Sequence, residues 1–176
     1  MTTEIPVKQQ AAYDEIVAQL DAIGAEYKDF THRPIRNYED AELARQESGF
    51  EGTESKSMVL KTGDTFFVYV TLAGRRTDFK AIRAHVGGPK PKLATDDELR
   101  EHFGAEPGSA FPFGFDASIA IYVDPEVFVQ EWLLIGPAIP TKTIQMHGED
   151  LRKIYDAIGN PVEEVTTFNQ APAVES

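Results

Sequence analysis

Two apolar runs divided by a two-residue turn signal constrain the fold of this chain more than any other feature of its sequence. Ser57 to Leu60 leads into Gly63-Asp64, and Thr65 to Leu72 follows with Phe67, Tyr69 and Thr71 opposite Phe66, Val68 and Val70. Period-two alternation across a Gly-Asp pair predicts a β-hairpin, because glycine reaches the positive φ that a tight hairpin turn requires. Its apolar character puts the hairpin at the centre of a sheet.

The remaining elements arrange themselves around that centre. Tyr13, Ile16, Val17, Leu20 and Ile23 recur at three- and four-residue steps, which predicts an amphipathic helix over 7–23, with Gly24 where a left-handed cap falls. Glu26 to His32 reads as extended, Asn37 caps an acidic helix from Tyr38 to about Glu47, and Phe50 to Ser55 reads as a polar loop. Asp78 to His85 fits a short helix stopped by Gly87-Gly88-Pro89, and Thr95 with Glu98 forms a capping box for a helix ending near Gly104. Ser118 to Val123, Trp132 to Ile135 and Thr143 to Met146 are strand candidates, and Glu149 to Ile158 is a closing helix with Leu151, Ile154 and Tyr155 inward. Residues 162–176 are expected to form a flexible C-terminal tail. Strands and helices do not alternate as regular βαβ units. The expected fold class is therefore α+β: one domain over 1–161, with a mixed, mainly antiparallel sheet flanked by helices. A chain of 176 residues suits one core and is short for two.

Composition removes several chemistries. With no cysteine there are no disulfides, thiolate nucleophiles or cysteine-ligated zinc sites. His32, His85, His102 and His147 are scattered at spacings that suggest no metal site. Phosphate loops, dinucleotide-binding glycine fingerprints and nucleophile elbows are missing. No apolar run approaches a membrane span, and the opening Met1-Thr2-Thr3-Glu4-Ile5-Pro6 lacks the basic and apolar regions of a signal peptide, so a cytoplasmic protein without membrane association is expected. The formal charge of −12 argues against a protein that coats nucleic acid. Six of the 17 basic residues nevertheless fall in one segment: Arg75, Arg76, Lys80, Arg83, Lys90 and Lys92, against the single acid Asp78. Such a strip can hold a phosphate backbone, or it can simply be a solvated helix face with a charged loop.

Two features remain as candidates for chemistry. Gly108-Ser109-Ala110-Phe111-Pro112-Phe113-Gly114 combines permissive glycines, a proline that fixes one torsion, and two phenylalanines as rigid apolar walls, a composition suited to presenting backbone N–H groups to a carbonyl oxygen. Taken alone it also reads as a Gly/Pro turn between a helix and a strand. Lys56 stands immediately before the apolar run of the hairpin, where a lysine is ordinarily solvated; at the end of a central strand, the 108–114 loop can close over it to make a pocket. His32, beside Arg33-Pro34, ends its extended segment where an imidazole can point into a cleft.

Ser55-Lys56-Ser57-Met58 before the Gly63-Asp64 hairpin, then Asp78-Phe79-Lys80, Ala94-Thr95, the Glu98-Leu99 helix and the Gly-x-x-x-Pro loop from Gly108 to Pro112, together resemble the YbaK/ProX family. Members are aminoacyl-tRNA deacylases related to the editing domain of bacterial prolyl-tRNA synthetases. The likeness runs from about Phe30 to Leu151. It implies a trans-editing hydrolase that removes a wrong amino acid from tRNA, with Lys56 as the functional lysine and Gly108, Ser109, Ala110, Phe111 and Pro112 as the substrate-positioning loop. His32, Ser57, Phe113 and Gly114 are the expected substrate contacts, the basic strip is the expected tRNA contact, and no cofactor or metal is expected. Family members are thought to use no side-chain nucleophile, so water or the terminal ribose hydroxyl attacks while backbone N–H groups hold the oxyanion.

Phe111 is bulkier than the small or hydroxylated residue expected at its position, which with Phe113 narrows the expected pocket towards alanine, serine or cysteine. The expected partner is mischarged aminoacyl-tRNA, with a synthetase or elongation factor for handover. The alternative is a noncatalytic amino-acid, nucleotide or tRNA-binding module of the same fold. A protein-interaction domain using the acidic face leaves the loop unexplained.

Overall fold

Strand β2 (Thr53–Thr62) and strand β3 (Thr65–Leu72) form the predicted hairpin, in register from Ser55↔Leu72 to Thr62↔Thr65, in a computed structural model that describes residues 5–171. Gly63 makes the turn at φ +58°. The hairpin is central. On one side β2 pairs in parallel with β6 (Leu133–Ile135), which continues antiparallel to β7 (Lys142–Met146) and then to β1 (Tyr27–Thr31). On the other side β3 pairs in parallel with β5 (Ala120–Val123), and β5 with β8 (Val162–Glu164). The short β4 (Lys92–Leu93) pairs antiparallel with β2. The order β1-β7-β6-β2-β3-β5-β8 contains three antiparallel and three parallel pairings, and the β2–β4 pair off that order makes a fourth antiparallel one, as the α+β expectation requires.

Alternation along the strands sends side chains to two faces. Val59, Val68, Val70, Leu133, Ile135, Ile144 and Met146 enter the main core, which α1 (Val7–Ala22) closes with Ile16 and Leu20 and α5 (Gly148–Ala157) closes with Leu151 and Ile154. On the opposite face Met58, Leu60, Phe67 and Tyr69 meet Ile82 of α3 (Phe79–Val86), and Leu134 meets Ala44 of α2 (Tyr38–Ser48) and Phe50. Two predicted caps hold: Asn37 accepts from the Asp40 amide, and Thr95 and Glu98 form the reciprocal box of α4 (Asp96–Glu98); Asp78, expected as the first residue of α3, instead caps it by accepting from the Ala81 amide. A π-helical turn over Leu99–Phe103 carries that helix to Gly104, which is left-handed at φ +68°.

Two expectations need correction. The segment read as a loop up to Ser55 is strand from Thr53, because its backbone finds β6, a partner about 80 residues away that no local signal reveals. The expected flexible tail is ordered where it is described: β8 pairs with β5, Val165 and Phe168 are buried, and Asn169 bridges to Thr77. Residues 172–176 lie outside the described residues. No helix among the described residues is long and apolar enough to cross a membrane.

Candidate functional site

Three segments distant in sequence close a hollow at one end of the sheet. The start of the 108–114 loop supplies Gly108 and Ser109, the β6–β7 connection supplies Gly136, Ile139 and Pro140, and the first residues of β2 supply Glu54 and Ser55. Lys142 and Thr143 of β7, with Ile35 and Ala41 at α2, complete a cavity of about 130 Å³. A larger groove of about 740 Å³ adjoins it, sharing Gly108, Ile139 and Pro140 and extending over Pro34, Arg36, Arg100, Thr141 and the N-terminal Ile5-Pro6. The β6–β7 connection is strained. Ala138 is fully buried at φ +72°, the one non-glycine residue with positive φ among the described residues. Backbone held in so sparsely populated a conformation persists where surrounding packing over-determines it, often at a binding site.

The loop itself is fixed from below. Gly108 is left-handed at φ +84°, and the Ser109 amide donates to the Glu106 carbonyl at 2.9 Å. The buried Tyr155 hydroxyl of α5 donates to the Pro112 carbonyl at 2.9 Å. Burial raises the Tyr155 pKa far above the usual phenol range, so the hydroxyl stays a donor. The amides of Gly108, Ala110 and Phe111 meet no protein acceptor among the described residues. Of these three residues, Gly108 lines both the cavity and the groove.

Several expected site residues fall elsewhere. Phe111 and Phe113 do not wall the cavity; they are buried in the main core, Phe111 against Phe115, because the loop turns inward after Ala110. Gly114 packs against Ile16 of α1, away from the cavity. Ser57 shares the face of Val59 and is not among the lining residues, whereas Ser55, two positions earlier, donates its hydroxyl to the Leu134 carbonyl at 2.7 Å in the cavity wall. Lys56 lies opposite Thr71 on the face of Glu54 and Met58. A rise of about 3.3 Å per residue puts its Cα about 7 Å beyond that of Glu54, and it lines neither the cavity nor the groove. The ammonium within the wall belongs to Lys142, which donates to Thr31 Oγ1 at 3.1 Å and sits 3.5 Å from the Asp29 carboxylate. His32 does reach the site: its Nε2 is 2.8 Å from Thr143 Oγ1. The basic strip is exposed on and around α3, and none of its six residues lines the cavity or the groove. Arg75 of that strip is paired with Glu126.

The family model described as the aminoacyl-tRNA editing domain matches residues 32–154, which contain the loop, β2, β7 and His32. The chain belongs to that family. Among relatives of the editing domain, the prolyl-tRNA editing protein ProX of Acetoanaerobium sticklandii is 22% identical over 158 residues, covering 88% of this chain and 96% of that protein. The multifunctional Ser/Thr-tRNA deacylase ProXp-y of Escherichia coli is 24% identical over 125 residues, covering 69% of this chain and 74% of the relative. A solved structure described as a proposed trans-editing enzyme for prolyl-tRNA synthetase superposes with a TM-score of 0.68 at 20% identity, over 91% of this chain and 98% of that one. The fold is therefore shared. The YbaK/ProX resemblance and the enzyme class read from the sequence, an aminoacyl-tRNA deacylase, agree with these relatives.

The cavity and groove also contain residues with no functional signature in the sequence: Glu54 falls in the expected polar loop, Thr143 at the start of an expected strand, Lys142 just before it, and Arg36 between expected elements. Only pairing between distant strands brings them together, and nothing in their spacing announces it. The Gly136-Pro137-Ala138-Ile139-Pro140 run did carry a signal, since two prolines and a glycine in five residues mark a shaped connection.

Proposed function

We propose that this chain is a trans-editing deacylase that removes a small amino acid, alanine, serine or cysteine, from the 3′ end of a mischarged tRNA. The observation that carries the reading is the joining of two hollows of unequal size through Gly108, Ile139 and Pro140. Sites for ligands of nucleoside size usually span about 300–1,000 Å³, which the outer groove supplies and the inner cavity does not. The terminal adenosine therefore takes the groove, beside Arg36, and the aminoacyl group enters the cavity of about 130 Å³. Size exclusion then rejects large side chains. Relatives named for prolyl-tRNA editing and for Ser/Thr-tRNA deacylation support the reaction and leave the amino acid to the shape of the cavity.

An aminoacyl ester is already reactive, so orientation and charge stabilisation suffice to accelerate its cleavage. The Gly108 amide, unpaired and in the lining of both hollows, supports a role in holding the carbonyl oxygen as it gains charge. Water attacks the carbonyl carbon, with the free hydroxyl of the terminal ribose available to orient it, and the ester oxygen of the ribose leaves as a hydroxyl. Lys56, half-buried and without an ion-pair partner among the described residues, holds the phosphate or ribose end and does not act as a base.

Incubation with tRNAs charged with alanine, serine, cysteine, threonine, proline and phenylalanine tests the reading. Hydrolysis of one or more of the first three is expected, and Lys56→Ala is expected to lose most of it. Equal rates in wild type and variant remove Lys56 from the mechanism. Binding without hydrolysis of any charged tRNA leaves the noncatalytic module as the better account.

A further inference from the structure

We propose that Thr143 and His32 form a proton relay in the wall of the inner cavity, in which the Thr143 hydroxyl touches the attacking water and His32 stands behind it as the base. This rests on the deacylase reading above and adds to it a side-chain path for the proton. The polarity follows from the two contacts of the imidazole. His32 Nδ1 lies 2.6 Å from the Arg33 carbonyl oxygen, which can only accept, so Nδ1 carries the hydrogen. In a neutral ring Nε2 is then an acceptor, and the Thr143 hydroxyl 2.8 Å away is its donor.

Placement gives the pair a use. Thr143 is buried at 7% exposure and lines the cavity, and its Oγ1 makes no second hydrogen bond among the described residues. With its hydrogen committed to the imidazole, the oxygen offers a lone pair to a water molecule in the cavity. The ring is held at 5.7 Å between centroids by the buried Phe50, and the His32 amide is fixed by the Thr141 carbonyl at 2.8 Å. The β1–β7 ladder already ties the two strands through five registered pairs, so the side-chain contact is not needed to join them. The charged groups on the elements around the ring are Arg33 with Glu47, Arg45 over Phe50, and Lys142 with Asp29.

The step balances without a co-reactant. As the water oxygen bonds to the ester carbon, its proton passes to Thr143 Oγ1 and the Thr143 proton passes to His32 Nε2, leaving an imidazolium. The tetrahedral carbon then breaks its bond to the ribose oxygen, which takes the proton back along the same path. The products are the free amino acid and the ribose hydroxyl. Thr143 is a catalytic residue in this scheme and His32 acts through it as a positioning base.

Nitrogen-15 NMR of the full chain at neutral pH tests the polarity without substrate. The Nδ1–H tautomer of His32 is expected, and an Nε2–H tautomer overturns the relay. Single-turnover cleavage of whichever charged tRNA the wild type hydrolyses tests the role. Thr143→Val is expected to slow the chemical step about 100-fold, the lower end of general-base effects, with KM little changed, while Thr143→Ser restores most of the rate. His32→Gln is expected to slow the same step by a similar factor, again with KM little changed. Unchanged rates in folded Thr143→Val and His32→Gln overturn the relay while leaving the deacylase reading intact. If the wild type cleaves none of the panel, that reading falls and the relay falls with it.

Discussion

Tyr155 connects the core to the loop through one buried hydrogen bond. Its ring packs against Phe128, and its hydroxyl satisfies the Pro112 carbonyl, which lies in a buried stretch where water is not the alternative partner. Deleting the hydroxyl leaves a buried acceptor unpaired, which costs about 1–3 kcal/mol, while the ring stays in place. Tyr155→Phe should therefore lower the melting temperature by several degrees and slow deacylation more than it weakens substrate binding, because the loop that carries the Gly108 amide loses its anchor. Thermal denaturation and single-turnover rates check both halves. A normal rate in a destabilised protein would show that the loop keeps its geometry without this anchor.

At the scale of elements, the C-terminal segment closes the sheet. Phe168 is fully buried, with its centroid 5.2 Å from that of Tyr69, 5.4 Å from Tyr122 and 5.4 Å from His85, and Asn169 donates to both Thr71 and Asp124 while accepting from Tyr69. Phe168→Ala should cost about 3–5 kcal/mol in denaturant unfolding, and a value near zero would return the segment to the status of a loose tail. On the opposite margin, α4 is tied to β2 by Lys61, whose ammonium donates to Glu98 at 2.8 Å. That bond, and then the Thr95 amide, pulls the Glu98 carboxyl from 4.5 down to about 2. A carboxylate lowered in the folded state stabilises above its ordinary pKa and loses that contribution as pH falls towards the folded value. Glu98→Gln should thus reduce stability near neutrality and flatten the pH dependence between about 4.5 and 2, as followed by thermal melts. Elements with local signatures were legible from sequence: the Gly63 hairpin, the Asn37 and Thr95 caps, and the Gly/Pro loop at Gly108. What escaped depends on distant pairing. β8 has three residues, two of them glutamates, and is a strand only because β5 offers a parallel edge about 40 residues upstream. The site follows the same rule. The loop announced itself through glycine and proline, whereas Lys142, Thr143 and Glu54 converge only once β7, β6 and β2 are side by side.

For the whole molecule, the decisive quantity is how a body of net charge −12 engages a polyanion. Long-range repulsion slows encounter with tRNA, so productive association depends on local cation clusters. Two such clusters exist. Arg36 and Arg100 stand in the groove, but Arg100 is bound to Glu106 and Asp97, which leaves Arg36 as the groove cation without an ion pair among the described residues. The strip around α3 is larger, and of its members Arg76 and Lys80 are exposed and make no ion pair among the described residues, while Arg75 is already matched by Glu126. If the strip carries the acceptor stem, Arg76→Glu with Lys80→Glu should lower kcat/KM about tenfold at low salt and make the logarithmic salt slope shallower by about 2, one for each phosphate that the protein no longer neutralises. The rate of the bound complex should not change, because neither residue approaches the cavity. Arg36→Glu should behave differently: a groove residue next to the reacting ester affects both binding and the chemical step, since misplacing the terminal ribose misplaces the carbonyl. Measuring the two variants across a salt series separates recognition of the tRNA body from seating of its end. An unchanged slope in the double variant would remove the strip from tRNA binding and leave the groove to overcome the repulsion.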